Sequence, residues 1–188
     1  MRYHDITKDD MKNGDGLRVV LWVSGCTHHC EGCHNPVTWD PDDGLIFDET
    51  AKQEIFAELE KPYCSGITFS GGDPLHANNS TEIWVLSDEI KKRFPDKTIW
   101  LYTGYTWEYI MQHMPVTAGT LLLNIDVLVD GPFIQEKLDT KLMWKGSSNQ
   151  RVIDVQKSLT KGEIVLYCRD YFEVGNPAHM ITMPTCEC

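Results

Sequence analysis

The sequence predicts an α/β fold built as a partial, open barrel of parallel β/α units. Two observations lead to this prediction. Short apolar segments rich in β-branched residues alternate with amphipathic segments of helical period, and glycine-rich or polar clusters follow the apolar segments. Strands that alternate with helices favour a parallel sheet with right-handed crossovers, so the clusters meet at the carboxyl ends of the strands. The units are too few for a closed barrel of eight strands.

The first half of the chain contains two predicted strands and two predicted helices. Residues 17–23 are apolar and β-branched, as is typical of a buried strand, and residues 66–70 form a second, shorter strand. A helix is predicted over residues 48–59, where Asp48 is an N-cap residue and the apolar side chains fall on one face. Another helix is predicted over residues 80–94, because its apolar stripe ends directly before a proline.

The second half continues the alternation and then changes character. Strands are predicted over residues 98–102 and 121–129, and a helix over residues 106–114 is closed by the proline that follows it. Beyond residue 150 the pattern becomes irregular, with two short predicted strands over residues 151–155 and 164–167.

Composition and charge exclude several classes of function. The 188 residues carry a net charge of −11, whereas nucleic-acid binding normally needs a basic face. No apolar run reaches about 18 residues, the length of a membrane span, and the polar residues 1–10 do not form a secretory signal. We therefore expect a cytoplasmic protein that binds neither nucleic acid nor membrane.

Cysteine usage points to metal or redox chemistry. Seven cysteines are an odd number for a chain without an export signal, which argues against a disulfide framework. Cys26, Cys30 and Cys33 form one cluster within eight residues, directly after the predicted strand over residues 17–23. Thiolates are soft ligands that select zinc or an iron–sulfur cluster.

The cysteine spacing leaves two kinds of metal centre open. In one, the three cysteines ligate a [4Fe–4S] cluster and leave its fourth iron free for a substrate that carries an amine and a carboxylate. In the other, His28, His29 or His34 completes a structural zinc site. For His28 and His29 we expect loop positions that face solvent rather than metal ligation.

A second candidate site follows the predicted strand over residues 66–70. This strand ends in Ser70, Gly71, Gly72 and Asp73. Glycines let the backbone approach a ligand closely, and strand-end carbonyl groups can accept hydrogen bonds from an ammonium group. The same residues also suit an ordinary turn, so the sequence around them decides between the two interpretations.

Several motifs occur in an order that resembles a known family. The Cys-x3-Cys-x2-Cys motif after a first strand is similar to the signature of the radical S-adenosylmethionine (SAM) superfamily. Within that superfamily the chain resembles the activating enzymes of glycyl-radical enzymes, and most closely those of anaerobic (class III) ribonucleoside-triphosphate reductases. The supporting segments are Cys-His-Asn-Pro at 33–36, Thr-Phe-Ser-Gly-Gly-Asp-Pro-Leu at 68–75, Trp-Leu-Tyr-Thr-Gly-Tyr at 100–105, Asp-Val-Leu-Val-Asp-Gly-Pro-Phe at 126–133 and Gly-Ser-Ser-Asn-Gln-Arg at 146–151.

The resemblance implies a cofactor site. Cys26, Cys30 and Cys33 would ligate three irons of a [4Fe–4S] cluster, and SAM would bind the fourth through its amine and carboxylate. Gly32 departs from those activating enzymes that carry an aromatic residue before the third cysteine. The residues implied to contact SAM are Gly32, Cys33, His34, Ser70, Gly71, Gly72 and Asp73.

The resemblance also implies a reaction, partners and a domain. The cluster would cleave SAM reductively with an electron from a flavodoxin-like donor, and a glycyl radical would form on the partner reductase. The resemblance covers residues 1–155, which it implies form a radical SAM domain of partial-barrel type. Residues 156–188 are then a C-terminal extension packed on that domain or trailing it. The alternatives are another small radical SAM enzyme, an activating enzyme for a different glycyl-radical enzyme, and a zinc-binding interaction module.

Three further features of the sequence have more than one interpretation. Asp130 ends a predicted strand and either contacts the nucleoside or partner, or caps a loop. Residues 147–149 match a family motif but also suit a polar turn. Cys186 and Cys188, at the end of the chain, are interpreted as a frayed terminus rather than as metal or redox ligands.

Overall fold

A computed structural model describes residues 1–168, apart from the side chains of Pro115 and Ala118. Over this range the protein has a mixed α/β fold around one open sheet of seven strands, in the order β3-β1-β2-β4-β5-β6-β7. The elements are β1 (Arg2–Asp10), β2 (Leu17–Val23), β3 (Leu45–Ile46), α1 (Glu49–Leu59), β4 (Cys64–Gly71), α2 (Ser80–Arg93), β5 (Thr98–Tyr102), α3 (Trp107–His113), α4 (Pro115–Thr120), β6 (Val127–Asp130), β7 (Arg151–Asp154) and α5 (Val155–Lys161).

The centre of the sheet is parallel and its edges are antiparallel. Strands β2, β4, β5 and β6 run side by side in the same direction, as the alternation of strands and helices predicts. At one edge β1 pairs antiparallel with β2, and at the other β7 pairs antiparallel with β6. The carboxyl ends of the four parallel strands therefore meet along one rim of the sheet.

Helices that were predicted from capping and apolar periodicity pack against the sheet. Asp48 accepts a hydrogen bond from Ala51 N (3.0 Å) and begins α1, and Thr106 caps α3 in the same way through Tyr109 N (3.3 Å). The apolar faces of α1 and α2 join the parallel strands in one core, in which side chains such as Ile55 are fully buried. Burying a side chain of this size stabilises the fold by about 1.5–3 kcal/mol.

The structure corrects the predicted strand over residues 121–129. Only Val127–Asp130 forms a strand, while Leu122–Asn124 is a turn of 3₁₀ helix. Leu121 and Leu122 are buried in the core without pairing in the sheet, whereas Leu123 is exposed. A short, continuous run of apolar residues does not show whether the segment is a strand of the sheet or another buried element.

Two elements near the chain ends were missed. The charged strand β1 hides its buried residues, Tyr3 and Ile6, among polar neighbours. Helix α5 follows β7 directly, with Asp154 as its N-cap and Gly162 in the left-handed region (φ 71°) as its C-cap. The predicted strand over 164–167 is reduced to a single bridge between Leu166 and Ile153.

The C-terminal segment lies only partly within the described residues. Cys186 and Cys188 fall outside them, so their predicted role as a frayed terminus stays a prediction. Within residues 1–168 no helix combines the length and the apolar character that a membrane span requires.

Candidate functional site

Most of the residues predicted to form the functional site line one pocket. It has a volume of about 200 Å³ and opens at the carboxyl ends of the parallel strands. Of the predicted site residues only Gly32 is missing from its lining. The predicted residues that line it are Cys26, Cys30, Cys33, His34, Ser70, Gly71, Gly72 and Asp73, and Trp39, Tyr102, Thr103, Phe133 and Gln150 are among those that were not predicted.

The cysteine loop follows β2 and is closed by backbone hydrogen bonds between its two ends. Gly25 N donates to Thr38 O (2.8 Å) and Cys26 N donates to Trp39 O (3.0 Å). The Thr38 hydroxyl in turn donates to Asn35 O (2.7 Å), which folds the far arm of the loop back on itself. Gly25 has φ 98°, a conformation that favours glycine at the point where the chain leaves the strand. These hydrogen bonds shape the loop, and all three of its cysteines line the pocket.

The glycine turn after β4 is packed against this loop. Gly72 N donates to Val23 O (2.7 Å) and Asp73 N donates to Gly25 O (2.8 Å). A Cβ atom on Gly72 would lie 2.5 Å from Gly25 O, and Gly71 adopts φ 102°. Both glycines are therefore required by the close approach of backbone to backbone, a reason that the sequence interpretation had not included.

Asp73 joins three loops at the rim. Its side chain is only 2% exposed, and its oxygens accept from the backbone of Leu75 (2.8 Å) and Gly104 (3.1 Å) and from the hydroxyl of Thr103 (2.9 and 3.0 Å). Another donor is His28 Nε2, at 2.7 Å from Asp73 Oδ2. Buried carboxylates are tolerated when they are saturated with donors in this way. Asp73 thus fixes the loops after β2, β4 and β5 relative to one another.

His28 is not the solvent-facing residue that the sequence suggested. Its side chain is 17% exposed, and its ring meets the ring of Tyr105 edge-on at 4.5 Å. A Cβ atom on Gly104 would lie 2.4 Å from His28 Cδ2, so Gly104 makes room for the imidazole. His29, by contrast, has φ 46° and packs on Trp39. A histidine beside a cysteine motif carried no signal that distinguished these two roles.

The cysteine sulfurs lie in a partly desolvated, hydrogen-bonded environment. Burial raises the pKa of Cys26 to about 11 and raises that of Cys30 as well, so both are thiols at neutral pH in the metal-free protein. Nearby backbone N–H groups act in the opposite direction and lower the pKa of each thiol: those of His28 and His29 act on Cys26, and that of Phe133 acts on Cys30. Such donors stabilise thiolate, which a bound metal would generate.

Asn35 completes this set of donors. Its backbone N–H lies 3.4 Å from Cys33 Sγ and donates to it, so the third sulfur also receives an amide hydrogen bond. Hydrogen bonds to the sulfurs are among the factors that set the reduction potential of an iron–sulfur cluster.

The donor set fits a cluster with three protein ligands. Within residues 1–168 no three histidine, cysteine or acidic side chains are arranged to hold a single metal ion. Of the three candidate fourth ligands for zinc, His28 is bound to Asp73, His29 packs on Trp39, and His34 meets the ring of Phe133 edge-on. Three soft thiol ligands around a pocket with free volume suit an iron–sulfur cluster that keeps one open position.

Asp130 is a structural anchor at the end of β6. It is buried, accepts from Trp107 N (2.7 Å) at the start of α3, and pairs with the guanidinium of Arg151 through Nε (3.0 Å) and Nη2. Arg151 also binds Glu108 in bidentate fashion and lowers the pKa of that carboxyl to about 2. Of the two interpretations of Asp130, the structure shows the loop cap.

The family motif at residues 146–151 forms a compact turn at the pocket wall. Gln150 Oε1 accepts from Gly146 N (3.0 Å) and Ser147 N (3.2 Å), while its amide donates to Gly131 O (3.1 Å). Asn149 Nδ2 donates to Pro132 O (2.8 Å). The turn thereby supports the loop that follows β6 and carries Phe133.

The fold and the site together define an iron–sulfur protein, and comparison with known proteins agrees. Residues 12–153 match the family model of the 4Fe-4S single cluster domain. An anaerobic ribonucleoside-triphosphate reductase-activating protein of Enterobacteria phage T4 is 44% identical over 152 residues, which cover 81% of this chain and 93% of the relative.

Bacterial relatives are similar to the same extent. Proteins of that name from Haemophilus influenzae and Escherichia coli K12 are 41% and 40% identical over 80% and 81% of this chain, and over 96% and 97% of their own lengths. The chain belongs to the family of anaerobic ribonucleoside-triphosphate reductase-activating proteins.

Proposed function

We propose that this protein activates an anaerobic ribonucleoside-triphosphate reductase by reductive cleavage of SAM at a [4Fe–4S] cluster. The observation that carries the proposal is the pocket, in which three cysteines and the turn of residues 70–73 face the same volume. The names of the relatives supply the reductase as the partner, and the matched cluster domain supplies the cofactor.

Cys26, Cys30 and Cys33 are the proposed cluster ligands. Backbone hydrogen bonds join the two ends of their loop, and Asn35 N–H donates to the sulfur of Cys33 (3.4 Å). Backbone N–H groups near Cys26 and Cys30 favour the thiolate form of these two residues. Cluster binding must displace the protons that burial favours on the metal-free thiols, so assembly releases protons. Among residues 1–168 no fourth cysteine lines the pocket, which suits a cluster with one iron open to an external ligand.

The turn at residues 70–73 is the proposed binding site for the methionine end of SAM. The carbonyl groups of Ser70, Gly71 and Gly72 lie at the end of β4, where they suit an ammonium group. Asp73 adds negative charge from a buried position, and its own contacts hold the turn against the cysteine loop. His34 and the backbone of Gly32 are proposed to lie near the nucleoside end.

The chemistry itself belongs to the cofactors. When bound, the reduced cluster would supply the one electron that cleaves the carbon–sulfur bond of SAM into methionine and a 5′-deoxyadenosyl radical, and that radical would take a hydrogen atom from a glycine of the partner reductase. This chain binds and orients the ligands and keeps water from the reacting atoms. A flavodoxin-like protein is the proposed external electron donor.

The proposal extends to architecture and location. The four parallel strands and their crossovers fit a partial barrel of the radical SAM type. Residues 1–155 contain the whole pocket lining and form the proposed catalytic domain, with residues 156–188 as an extension of it. We propose a cytoplasmic location, since oxidising compartments favour disulfides over free thiol ligands.

Anaerobic reconstitution tests this function. We expect close to four irons per chain, a brown chromophore, and release of 5′-deoxyadenosine from SAM after reduction. A matched Cys64→Ala variant is the control, because Cys64 is buried at the opposite end of β4 and does not line the pocket. Zinc in place of iron, or a reducible cluster that leaves SAM intact, would refute the proposal.

A further inference from the structure

The two sides of the pocket differ in chemistry. On the side of Cys26, the glycine turn and the buried charge of Asp73 provide polar contacts. On the side of Cys30, the wall is aromatic, since the rings of Phe133 and His34 meet edge-on with centroids 6.1 Å apart and an interplanar angle of 88°. A ligand that spans the pocket from the glycine turn would reach the aromatic wall.

Phe133 is held firmly beside the cluster ligands. Its backbone N–H lies near the sulfur of Cys30. A Cβ atom on Gly146 would lie 3.2 Å from Phe133 Cδ2, so the ring rests on a residue without a side chain. The preceding Pro132 accepts from Asn149 Nδ2 at 2.8 Å. The ring is thus positioned before any ligand arrives, which lowers the entropic cost of binding.

Other aromatic groups around the pocket are already engaged. The ring of Trp39 packs against His29 with centroids 4.8 Å apart. Tyr102 donates its hydroxyl to Trp144 O at 2.7 Å, and burial raises the pKa of that hydroxyl strongly. Gly32 contributes no side chain, and the carboxamide of Gln135 occupies the space where its Cβ would lie. Phe133 and His34 both line the pocket, and the ring contact given for each of them is with the other.

We infer that Phe133, together with His34, forms the wall on which the adenine ring of SAM packs. The inference rests on the proposed function and adds a residue that the cysteine and glycine motifs do not contain. Every nucleobase has a flat π-face that packs on aromatic side chains, and removal of one such side chain weakens binding by about tenfold or more. The ring therefore acts on the nucleoside end of SAM and leaves the methionine end alone.

The test uses the reconstituted, unreduced holoprotein, so that SAM binds without being cleaved. Dissociation constants are measured for SAM and for methionine, which lacks adenine, by equilibrium dialysis. Phe133→Leu keeps the backbone N–H near Cys30 and is expected to weaken SAM binding by about tenfold or more while methionine binding and iron content stay unchanged. Phe133→Trp, which restores an aromatic face, is expected to bind SAM within about threefold of the unaltered protein.

Phe47→Leu is the matched control, because Phe47 is also a half-buried ring in an edge-on contact, in this case with Tyr3 and outside the pocket. We expect no change in SAM binding there. Equal loss of SAM and methionine binding in Phe133→Leu, or loss of neither, would overturn the inference and leave the proposed function standing. Failure of the unaltered holoprotein to bind SAM would instead count against the proposed function.

Discussion

His28 Nε2 lies 2.7 Å from Asp73 Oδ2, and this contact connects the cysteine loop to the glycine turn. Their contact is reinforced from the other side by Thr103, whose hydroxyl donates to the same carboxylate. The loops after β2, β4 and β5 are therefore tied together at the point where the cluster and SAM are proposed to meet. Gly72 and Gly104 have no side chains that would block these contacts between the loops.

Substitution of His28 by leucine is expected to destabilise the rim. The change removes one donor from a buried carboxylate, and an incompletely satisfied buried charge costs about 1–3 kcal/mol or more. We expect a lower free energy of unfolding in urea and less iron per chain after reconstitution. His28→Asn retains a donor and is expected to recover part of both quantities. Unchanged stability and iron content in His28→Leu would contradict this role.

Gly72→Ala is expected to disturb the cysteine loop. The new Cβ atom would lie 2.5 Å from Gly25 O and 2.9 Å from Thr38 O, and both are backbone atoms that cannot move independently. We expect reduced cluster loading, measured as iron and sulfide per chain. Gly119→Ala is the matched control, since no atom lies within 4 Å of its Cβ position, and alanine there is expected to be neutral or slightly stabilising. Equal loading in both variants would count against a close fit of turn and loop.

Replacement of any one ligand cysteine by serine is expected to abolish stable cluster loading. Cys26, Cys30 and Cys33 are the proposed protein ligands, so each substitution leaves only two thiolates. The double substitution of Cys186 and Cys188 by serine is expected to leave the chromophore unchanged, because the tail is predicted to play no part in ligation. The measurement is visible absorbance with iron analysis under anaerobic conditions. Loss of the brown colour in the tail variant would show that the ligand set is larger than proposed.

Glu108 is expected to contribute stability that depends on pH. Pairing with Arg151 lowers the pKa of this carboxyl from 4.5 to about 2 in the folded protein. A depressed folded pKa stabilises the protein above pH 4.5, and the contribution disappears as pH falls toward 2. The side chain is exposed, so solvent screening keeps the effect below about 1 kcal/mol.

The difference in unfolding free energy between the unaltered protein and Glu108→Gln measures this contribution. We expect the difference to be largest near neutral pH and to shrink as the pH falls from 4.5 to 2. A difference that stays constant over that range would show that the ion pair with Arg151 contributes nothing measurable.

Local signals in the sequence were enough to predict the parallel centre of the fold. The strands at 17–23 and 98–102 have the predicted bounds, and the predicted N-cap Asp48 begins α1. Strand β1 was missed because only Tyr3 and Ile6 of its nine residues are buried, and the polar residues around them hide any alternation. Residues at the carboxyl ends of the strands were predictable as a group, since parallel topology alone brings them together.

Contacts between distant loops were beyond sequence reasoning. Nothing in the chain indicates that His28, rather than His29, meets a carboxylate 45 residues further on. Phe133 was similarly missed, because its place in the pocket depends on the turn of residues 146–150 that supports its loop. To predict either contact, the relative positions of three loops must be known, and neither the periodicity of the sequence nor the spacing of its motifs gives those positions.

The most direct test of the central claim is a search for a glycyl radical by electron paramagnetic resonance. The reduced holoprotein is mixed anaerobically with SAM and an anaerobic ribonucleoside-triphosphate reductase. We predict a glycyl signal on the reductase together with release of 5′-deoxyadenosine, and neither product with a Cys30→Ser variant. Release of 5′-deoxyadenosine without a glycyl signal would contradict the proposed partner, and absence of both from the loaded, unaltered protein would contradict the whole account.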